Sequence, residues 1–520
     1  METTTNGGND TINDILLQKI CDSGLDSNIV RWLSCFLKGR EQSVIYEGAQ
    51  SSFKKIHRGV PQGAVLSPTL FNLYVSDFPT LRSKTTTFAD DTTIFDSNVD
   101  ISVLERQIND DLTAVSDWAK SLDLIISSQK STVTLFSPST HEFHYHPQVF
   151  LDGALLPLDQ NPKVLGVVLD PLFTFSPHIR HVAKKVGERL KVLKALAGTS
   201  WGQDAETLLI TYKALIKSTL DYAAPVWSPN TKPSPLERLQ NLQNAGLRVV
   251  TGSHKIASQS HLHAETSLLP VSDHLKMLSA QFLASSLRPS HPSHSVVKAP
   301  SGPRQMKATL QSAHIDDVHE FLIDDVLPPE RYNATKNIIH ATFVEQYVTN
   351  QDPNPLIQRI PPPIPPPIHP TESQLPRAYR SLLSQLRSSH SKLLNSYKHR
   401  IGLAPSPTCP RCSEDDDSVS HLFSCQSAPT ELSPIDLWLR PLETAAFLFS
   451  LNLSPDLPPP PPLPPPPPEP PPPEPPPTDP PASPDSDLFS PLSLDSVFFH
   501  SASDMSYTLS DSSDSIILLD

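Results

Sequence analysis

The sequence predicts an α+β fold in its first part, a helical second part, a small metal-binding module and a disordered tail. Three observations support this prediction. Short strand-like segments surround an acidic turn at residues 88–91, and a long amphipathic pattern follows them. From Pro177 onward the spacing of apolar residues is helical, and three of the five cysteines lie within residues 409–425. A chain of 520 residues is long enough to bury a sizeable core.

The first part contains local signals for both helices and strands. Asp26 and Ser27 are N-cap types that precede an apolar stripe at helical spacing. That stripe consists of Ile29, Trp32, Leu33, Phe36 and Leu37. Residues 42–46 and 52–56 flank a Glu47-Gly48 turn and predict a hairpin. A second stripe, Leu104, Ile108, Leu112, Val115, Ala119 and Leu122, predicts a long helix. Strands at residues 124–126, 133–136 and 164–169 would complete a mostly antiparallel sheet with packed helices.

The acidic turn has the residue types of a magnesium site. Asp90 and Asp91 are adjacent carboxylates, and hard oxygen ligands suit Mg²⁺. Upstream, Pro61-Gln62-Gly63 places an amide beside a glycine, where backbone could approach a ligand closely. A paired Asp at a turn is on its own usually a solvated turn. The two motifs together favour nucleotidyl transfer.

Four motifs in this order resemble those of jockey-like non-LTR retrotransposon reverse transcriptases. They are Pro61-Gln62-Gly63, Phe88-Ala89-Asp90-Asp91, Lys130 within SSQKSTVTLF, and Leu165-Gly166-Val167. The similarity continues through residues 218–229 and 238–252 and extends to about residue 287. The resemblance implies a polymerase palm at residues 1–175 and a helical thumb with its connection at 176–300. It also implies an RNA-directed DNA polymerase that binds an RNA template and a DNA primer.

The same resemblance implies roles for individual residues. Asp10, Asp90 and Asp91 would hold two Mg²⁺ ions, and Lys130 would protonate the departing pyrophosphate. Template or nucleotide contacts would come from Arg58, Gln62, Gly63 and Phe88. The surroundings of Asp10 depart from the family pattern, because Gly8-Asn9 precedes it. Since only nine residues precede Asp10, we expect the chain to be truncated, to lack the fingers subdomain and to have impaired activity.

Basic residues suggest two nucleic-acid contacts. The segment 177–196 predicts a helix with Lys184 and Lys185 outside its apolar side, which suits duplex phosphates or a merely solvated face. Residues 377–400 predict one basic helix that carries Arg380 and Arg387, with Tyr379 and Tyr397 interleaved. Such a pattern suits single-stranded nucleic acid, and an exposed helix without a ligand is the alternative.

A cysteine and histidine cluster follows that basic segment. Cys409, Cys412, His421 and Cys425 have the spacing C-x2-C-x8-H-x3-C. Four ligands complete a tetrahedral Zn²⁺ site with no vacancy, which indicates a structural ion. We therefore expect a zinc-knuckle module at residues 371–428. A bridge at 301–370 with a polyproline linker would separate it from the thumb.

The remaining residues, 429–520, are expected to be a disordered acidic tail. Residues 441–520 contain 12 acidic side chains and no Lys or Arg, out of an overall charge of −14. Nineteen of residues 458–481 are proline. Such a run could bind SH3, WW or related polyproline-binding domains, or have no partner.

Two other function classes remain open from the sequence. One is a catalytically inactive, nucleic-acid-binding remnant, and the other is an interaction protein recruited through its prolines. No secretory pattern is visible, and the apolar run at 445–451 is too short to cross a bilayer. Five cysteines form no disulfide framework. We therefore expect an intracellular protein, in the cytoplasm, the nucleus or both, without a membrane partner.

Overall fold

A computed structural model describes residues 12–56, 59–137, 139–142, 144–198, 200–298, 314–323, 327–351, 354, 356, 366–453 and 457–462. The described residues form two compact units. The first ends at His178, and the second begins at Ile179 and includes the described residues up to 462. Of the polyproline linker predicted within residues 353–370, only residues 354, 356 and 366–370 are described. The Pro-rich run from residue 463 onward lies outside the described residues.

Four α-helices occur in the described part of the first unit. They are α1 (Ile12–Asp22), α2 (Ser27–Leu37), α3 (Ser67–Tyr74) and α4 (Ile101–Ser121). Asp26 caps α2 by accepting from the Asn28 N–H, and Asp100 caps α4 by accepting from the Ser102 N–H. The buried stripe of α4 is as predicted, since Leu104, Ile108 and Leu112 are almost fully buried. The predicted stripe of α2 is wrong in part. Leu33 and Leu37 are buried, whereas Trp32 is 57% exposed and stacks on Phe36.

Ten short strands form five two-stranded antiparallel sheets in the described part of this unit. They are β1 (Arg40–Gln42), β2 (Ile45–Tyr46), β3 (Ala49–Gln50), β4 (Lys54–Ile56), β5 (Lys84–Phe88), β6 (Asp91–Phe95), β7 (Phe150–Leu151), β8 (Ala154–Leu155), β9 (Lys163–Val164) and β10 (Val167–Val168). The predicted hairpin is present, because β1 pairs with β4 and β2 with β3. The antiparallel character of these sheets is confirmed, with a single parallel bridge between Val133 and Leu158.

Three expected strands are not continuous strands. At 124–126 only Ile125 takes part in a bridge. Leu165 and Gly166 have positive φ angles of 43° and 86° and form the turn between β9 and β10, so the expected strand at 164–169 is a short hairpin. Of the expected strand at 133–136, only Val133 bridges to another segment. Its neighbours Thr134 and Phe136 are nevertheless buried, so this stretch packs as core without a complete ladder.

Helices dominate the second unit. They are α5 (Ser176–Leu196, which begins in the first unit), α6 (Ala205–Tyr212), α7 (Ser218–Asp221), α8 (Ala224–Trp227), α9 (Pro233–Thr251), α10 (Gln259–Thr266), α11 (Val271–Ser286) and α12 (His294–Lys298). The predicted helix at 177–196 is therefore present, and Val182, Val186, Leu190 and Leu193 are buried as expected. Gly246 of α9 permits close packing, because a Cβ there would lie 2.8 Å from the Tyr212 ring of α6.

Six further α-helices follow within the described residues, in the parts expected to be the bridge, the zinc module and the tail. The helices are α13 (Tyr332–Thr349), α14 (Arg377–Arg387), α15 (Asn395–Arg400), α16 (Val419–Leu422), α17 (Asp436–Leu439) and α18 (Pro441–Ser450). Helix α13 packs in one core with α11. The disordered tail was expected to begin at residue 429. That start is wrong, since Leu437, Trp438 and Leu448 are buried against α14 and α16. Burial of these apolar side chains in the core with α14 and α16 stabilises the folded segment.

The single basic helix expected at 377–400 is two helices. Helix α14 ends at Arg387, Ser389 has a positive φ of 59°, and α15 starts only at Asn395. Ser388, Ser389 and Ser391 explain the break, because serine hydroxyls compete for backbone hydrogen bonds and disfavour helix interiors.

Helix α14 is tied to the helices before it by two buried arginines. Arg377 donates to the backbone oxygens of Gly198 at 2.7 Å and Val250 at 3.1 Å. Arg387 is 1% exposed and pairs with Glu265 of α10 and with Glu372. Its guanidinium also donates to the carbonyl of Leu437 at 2.6 Å. The residues from 366 onward thus share one unit with α5–α12.

Close backbone contact completes this docking. Gly252 ends α9 with a positive φ of 69°, and a Cβ there would lie 2.0 Å from the Ser381 hydroxyl oxygen of α14. Next to it, Ser253, His261 and Ser384 form a buried hydrogen-bonded group. The Nε2 atom of His261 lies 3.1 Å from the Ser384 oxygen and 3.3 Å from that of Ser253.

Among the helices of the described residues, none is long and apolar enough to cross a membrane.

Replacing Arg387 with methionine is expected to destabilise the second unit strongly. The change leaves the carboxylates of Glu265 and Glu372 buried without their partner, which costs about 3–5 kcal/mol. The matched control is Arg380→Met on the same helix, whose partner Glu206 is 54% exposed, so about 1 kcal/mol or less is expected. Denaturant unfolding followed by tryptophan fluorescence measures both, and equal losses would contradict the assignment.

Acidification should destabilise the second unit through His261. Burial, and secondarily the charge of Arg387, lowers the pKa of His261 to about 3. The unfolded chain binds this proton near pH 6.5, so the stabilisation is complete above that pH and declines as pH falls towards 3. Between pH 6.5 and 5 one such group contributes a loss of about 2 kcal/mol.

The His261→Asn variant should therefore show a smaller decrease in unfolding free energy from pH 7 to pH 5 than the parent. His263, whose pKa burial lowers to about 4, leaves a residual decrease in both proteins. The control His340→Asn changes an exposed histidine on α13 and should keep the parental pH profile. Identical profiles for all three proteins would refute the role given to His261.

Candidate functional site

The acidic turn is a two-residue hairpin connection between β5 and β6. Phe88 pairs with Asp91, so Ala89 and Asp90 form the turn itself. Ala89 has a φ of 53°, which is unusual for a residue with a Cβ and common in the tight turns of hairpins. Asp90 and Asp91 are both exposed, and Phe88 is 58% exposed. The two carboxylates are therefore presented to solvent at the tip of a short hairpin.

Helix α4 holds this hairpin in place through contacts to both of its ends. The buried carboxylate of Asp111 accepts from the backbone N–H groups of Arg82 at 3.1 Å and Ser83 at 2.9 Å, just before β5. Gln107 donates from its amide to the Ser83 hydroxyl at 3.2 Å and also to Asp96, just after β6. Ile94 of β6 is fully buried in the same core as α4. Both ends of the hairpin are thus anchored to one helix.

Pro61-Gln62-Gly63 forms a separate tight turn. The Ala64 N–H donates to the Pro61 oxygen at 3.3 Å, and Gly63 has a φ of 85°. A positive φ at the third position fits a type II turn, in which glycine is favoured there. The Gln62 side chain is exposed and makes no hydrogen bond within the described part of the chain.

The other residues predicted for this site are one exposed lysine and two residues that lie outside the described part of the chain. Lys130 lies in an exposed turn, where its backbone N–H donates to the Ser127 oxygen at 3.1 Å. It is not between two paired strands as expected. Asp10 and Arg58 lie outside the described residues. The expected convergence of three carboxylates therefore stays a prediction.

One group of three or more potential metal ligands occurs within the described residues, and it is the predicted cysteine and histidine cluster. The ligand atoms of Cys409, Cys412, His421 and Cys425 all lie within 4.8 Å of one another. The Cys409 and Cys425 sulfurs are 4.0 Å apart, and the Cys412 sulfur lies 3.3 Å from His421 Nε2. A tetrahedral zinc ion with bonds of about 2.3 Å separates its sulfur ligands by about 3.8 Å. The donors therefore fit such an ion.

Neighbouring groups hold these ligands in place. A short antiparallel bridge joins Thr408 to Asp416, and the Cys409 N–H donates to the Asp415 oxygen at 2.8 Å. The carboxylate of Asp415 lies 3.4 Å from His421 Nδ1, so Nε2 is the nitrogen directed at the sulfurs. Asp417 is buried and paired with Arg411 at 3.1 Å. The acidic residues between Cys412 and His421 thus hold the ligands in place.

The thiols differ in their proton affinity. Backbone N–H groups of Asp415 and Glu414 donate to the Cys412 sulfur and lower its pKa to about 7. Burial raises the pKa of the Cys409 thiol. Since the thiolate is the metal-binding form, Cys412 is prepared for a metal near neutral pH.

The basic residues predicted to contact nucleic acid have two different environments. Lys184 and Lys185 are exposed on α5 and have no ion-pair partner within the described part of the second unit. Arg380 is mostly buried and pairs with Glu206 at the surface. Arg387 is buried with two carboxylates, so its guanidinium presents no surface to a phosphate. Arg387 is therefore not carried into the proposed nucleic-acid surface.

Several positioning residues were missed from the sequence. Asp111 and Gln107 anchor the acidic hairpin, and Glu265 and Glu372 neutralise Arg387. The only sequence signal was a polar residue at a core position, since Asp111 follows Ile108 by three residues and Leu104 by seven, on the buried side of α4. Glu265 lies 122 residues from Arg387, and no local pattern connects them.

Residues 12–169 match the family profile described as reverse transcriptase (RNA-dependent DNA polymerase). That segment is a reverse transcriptase sequence. Residues of this chain are 29% identical over 259 residues to the probable RNA-directed DNA polymerase from transposon X-element of Drosophila melanogaster, which covers 48% of the chain and 28% of that protein. They are 27% identical over 257 residues to the RNA-directed DNA polymerase from mobile element jockey of the same organism, with the same coverage.

The jockey protein of Drosophila funebris is 25% identical over 267 residues, which covers 50% of this chain and 29% of that protein. The resemblance to jockey-like non-LTR retrotransposon reverse transcriptases is therefore confirmed. The chain spans less than a third of the length of these relatives.

Loss of one cluster ligand should lower the zinc content of the protein, whereas loss of a cysteine outside the cluster should not. We expect one zinc ion per chain in the purified protein, and a Cys412→Ser variant should retain little of it, because three ligands leave the tetrahedral site open. The control is Cys35→Ser, which changes an exposed thiol on α2. Elemental analysis measures the metal content. An unchanged zinc content in Cys412→Ser would show that another site holds the ion.

Proposed function

We propose that this chain is an RNA-directed DNA polymerase of a jockey-like non-LTR retrotransposon, with its reacting centre at the acidic hairpin turn. The observation that supports this most directly is the match of residues 12–169 to the reverse transcriptase profile, because that segment contains the turn. The hairpin presents Asp90 and Asp91 together, and α4 fixes both of its ends. RNA is the template and a DNA primer supplies the attacking hydroxyl.

Asp90 and Asp91 are the residues that hold Mg²⁺, together with Asp10 as a third carboxylate. Their oxygen donors suit this ion, and exposure at a hairpin tip leaves room for substrate phosphates to complete its coordination. When bound, two such ions lower the pKa of the primer hydroxyl and neutralise the charge that develops on the pyrophosphate. Lys130, from its exposed turn, donates the proton to that leaving group.

Substrate contacts are assigned to the neighbouring turn and the hairpin. Gln62 presents a donor and acceptor amide to template or nucleotide, and the bare backbone of Gly63 leaves space beside it. Phe88 offers an exposed ring next to the carboxylates, and Arg58 would add a cation. Lys184 and Lys185 bind the nucleic-acid backbone from α5.

The cysteine and histidine cluster holds a structural Zn²⁺ ion in this proposal. Its four donors leave no open position for a substrate, so the ion stabilises the fold around α15 and α16 and takes no part in the reaction. The work of the protein is intracellular, in the cytoplasm, the nucleus or both. The Pro-rich segment from residue 458 is assigned to polyproline-binding partners.

Primer extension on an RNA template tests the polymerase assignment. Asp90→Asn should lower DNA synthesis by on the order of a hundredfold or more, because one carboxylate ligand supports several kcal/mol of charge stabilisation in the transition state. The matched control is Asp117→Asn, an exposed aspartate on α4 away from the turn, which should retain parental synthesis.

Two results would contradict the assignment. Equal extension by the parent and Asp90→Asn would place the reacting centre elsewhere or attribute the signal to a contaminant. A parent protein that binds RNA but extends no primer in the presence of Mg²⁺ and all four deoxynucleotides would favour the inactive nucleic-acid-binding remnant.

A further inference from the structure

A group of cations gathers where α15 meets the end of α9. The Tyr397 hydroxyl of α15 lies 2.9 Å from Nδ1 of His254, which follows α9. The rings of His254 and His390 both meet Tyr397 edge to face, at 5.4 and 5.6 Å. Two loops and one helix therefore converge on the buried Tyr397 ring.

Charged side chains surround this convergence, and no ion pair within the described part of the second unit neutralises them. The Arg400 guanidinium lies 5.0 Å from the centre of the Tyr397 ring and donates to the Ser389 oxygen at 3.3 Å. Lys255 and Lys392 are exposed. Lys255 directly follows His254, and Lys392 lies two residues after His390, so both lysines belong to the loops whose histidines contact Tyr397. Burial lowers the pKa of His254, and the charges of Lys392 and Lys255 lower it further.

Carboxylates are missing from this part of the described surface. Lys255, Lys392 and Arg400 have no ion-pair partner among the described residues, and residues 377–413 contain no Asp or Glu. The carboxylate bonded to the start of α15 belongs to Asp417, which is 1% exposed and already engaged by Arg411 and the Asn395 N–H. Among the described residues nothing neutralises these three cations, so an anionic ligand would relieve the repulsion between them.

Apolar side chains are exposed beside the same cations. Ile256 follows Lys255 in the chain and is 46% exposed. Leu403 is 66% exposed and turns back onto α15, where its N–H donates to the Lys398 oxygen at 2.7 Å. Single-stranded nucleic acid can place its phosphates on cations and the faces of its unstacked bases on apolar side chains.

We propose that Lys255, Lys392 and Arg400, here called the seam surface, bind the backbone of single-stranded RNA. This inference rests on the proposed function, since it gives the polymerase a second contact to its template. The contact is separate from the acidic hairpin and from Lys184 and Lys185. It replaces the contact expected from Arg380 and Arg387, whose guanidinium groups are engaged by protein carboxylates.

A binding assay with the full chain and a fluorescent single-stranded RNA tests the proposal without any catalytic step. The test variant is the triple change Lys255→Gln, Lys392→Gln and Arg400→Gln. The matched control is Lys232→Gln, Arg238→Gln and Lys276→Gln, which removes three exposed cations of the same unit elsewhere. The assay measures RNA binding alone, without Mg²⁺ or nucleotides, so failure of the polymerase assignment leaves this test intact.

The seam variant should bind the RNA about tenfold more weakly than the parent at moderate salt. Its slope of log affinity against log salt should be smaller by about two, because each lost contact to a single strand contributes about 0.7. The control variant should keep the parental slope. Competition by the same sequence as a duplex should be weaker than by the single strand, since a duplex hides its base faces.

Three outcomes would overturn the proposal. Equal weakening in the test and control variants would mean that only net charge matters. Parental affinity and slope in the seam variant would place the RNA elsewhere. Binding of anionic phosphatidylserine vesicles that depends on the three residues, with RNA binding unchanged, would assign the surface to a membrane instead.

Discussion

The buried Arg387 guanidinium is the interaction on which the second unit depends. A guanidinium out of water must have its charge and its donors satisfied, and here Glu265, Glu372 and the Leu437 carbonyl satisfy them. These partners come from three distant parts of the chain. Burial alone would lower the pKa of Arg387, but the two carboxylates outweigh it and raise the pKa. The position of α14, and with it the metal cluster, follows from meeting this requirement.

Residues of one basic stretch consequently take different roles. Arg377 and Arg387 satisfy buried carbonyls and carboxylates, whereas Lys392 and Arg400 remain at the surface. The break after α14 makes this division, because the polypeptide turns at Ser389 and presents α15 in another direction. Charge density in the sequence therefore does not tell which cations meet a ligand. That depends on which carboxylates the fold brings to them.

Local patterns predicted the elements whose signals are local. The stripes of α4 and α5, the Asp26 cap and the hairpin about Glu47-Gly48 arise from spacing and turn chemistry within one element. The same holds for the cysteine and histidine cluster, since its ligands lie within 17 residues. Trp32 was placed in a core from periodicity alone, although only neighbouring elements decide which side of α2 they cover. Leu437 and Trp438 were overlooked because they were grouped with the Pro-rich, acidic sequence that follows them in the chain.

The two proposed metal sites differ in what completes them. Three sulfurs and one imidazole nitrogen already lie within one coordination sphere, and Asp415 orients the histidine, so zinc needs no substrate to be held. Asp90 and Asp91 are exposed at a hairpin tip and form no group of three with other described ligands. Two carboxylates hold Mg²⁺ weakly unless phosphate oxygens and a further carboxylate join them. In the proposed polymerase, zinc is therefore a permanent part of the fold, whereas magnesium binding is coupled to the arrival of nucleotide and primer.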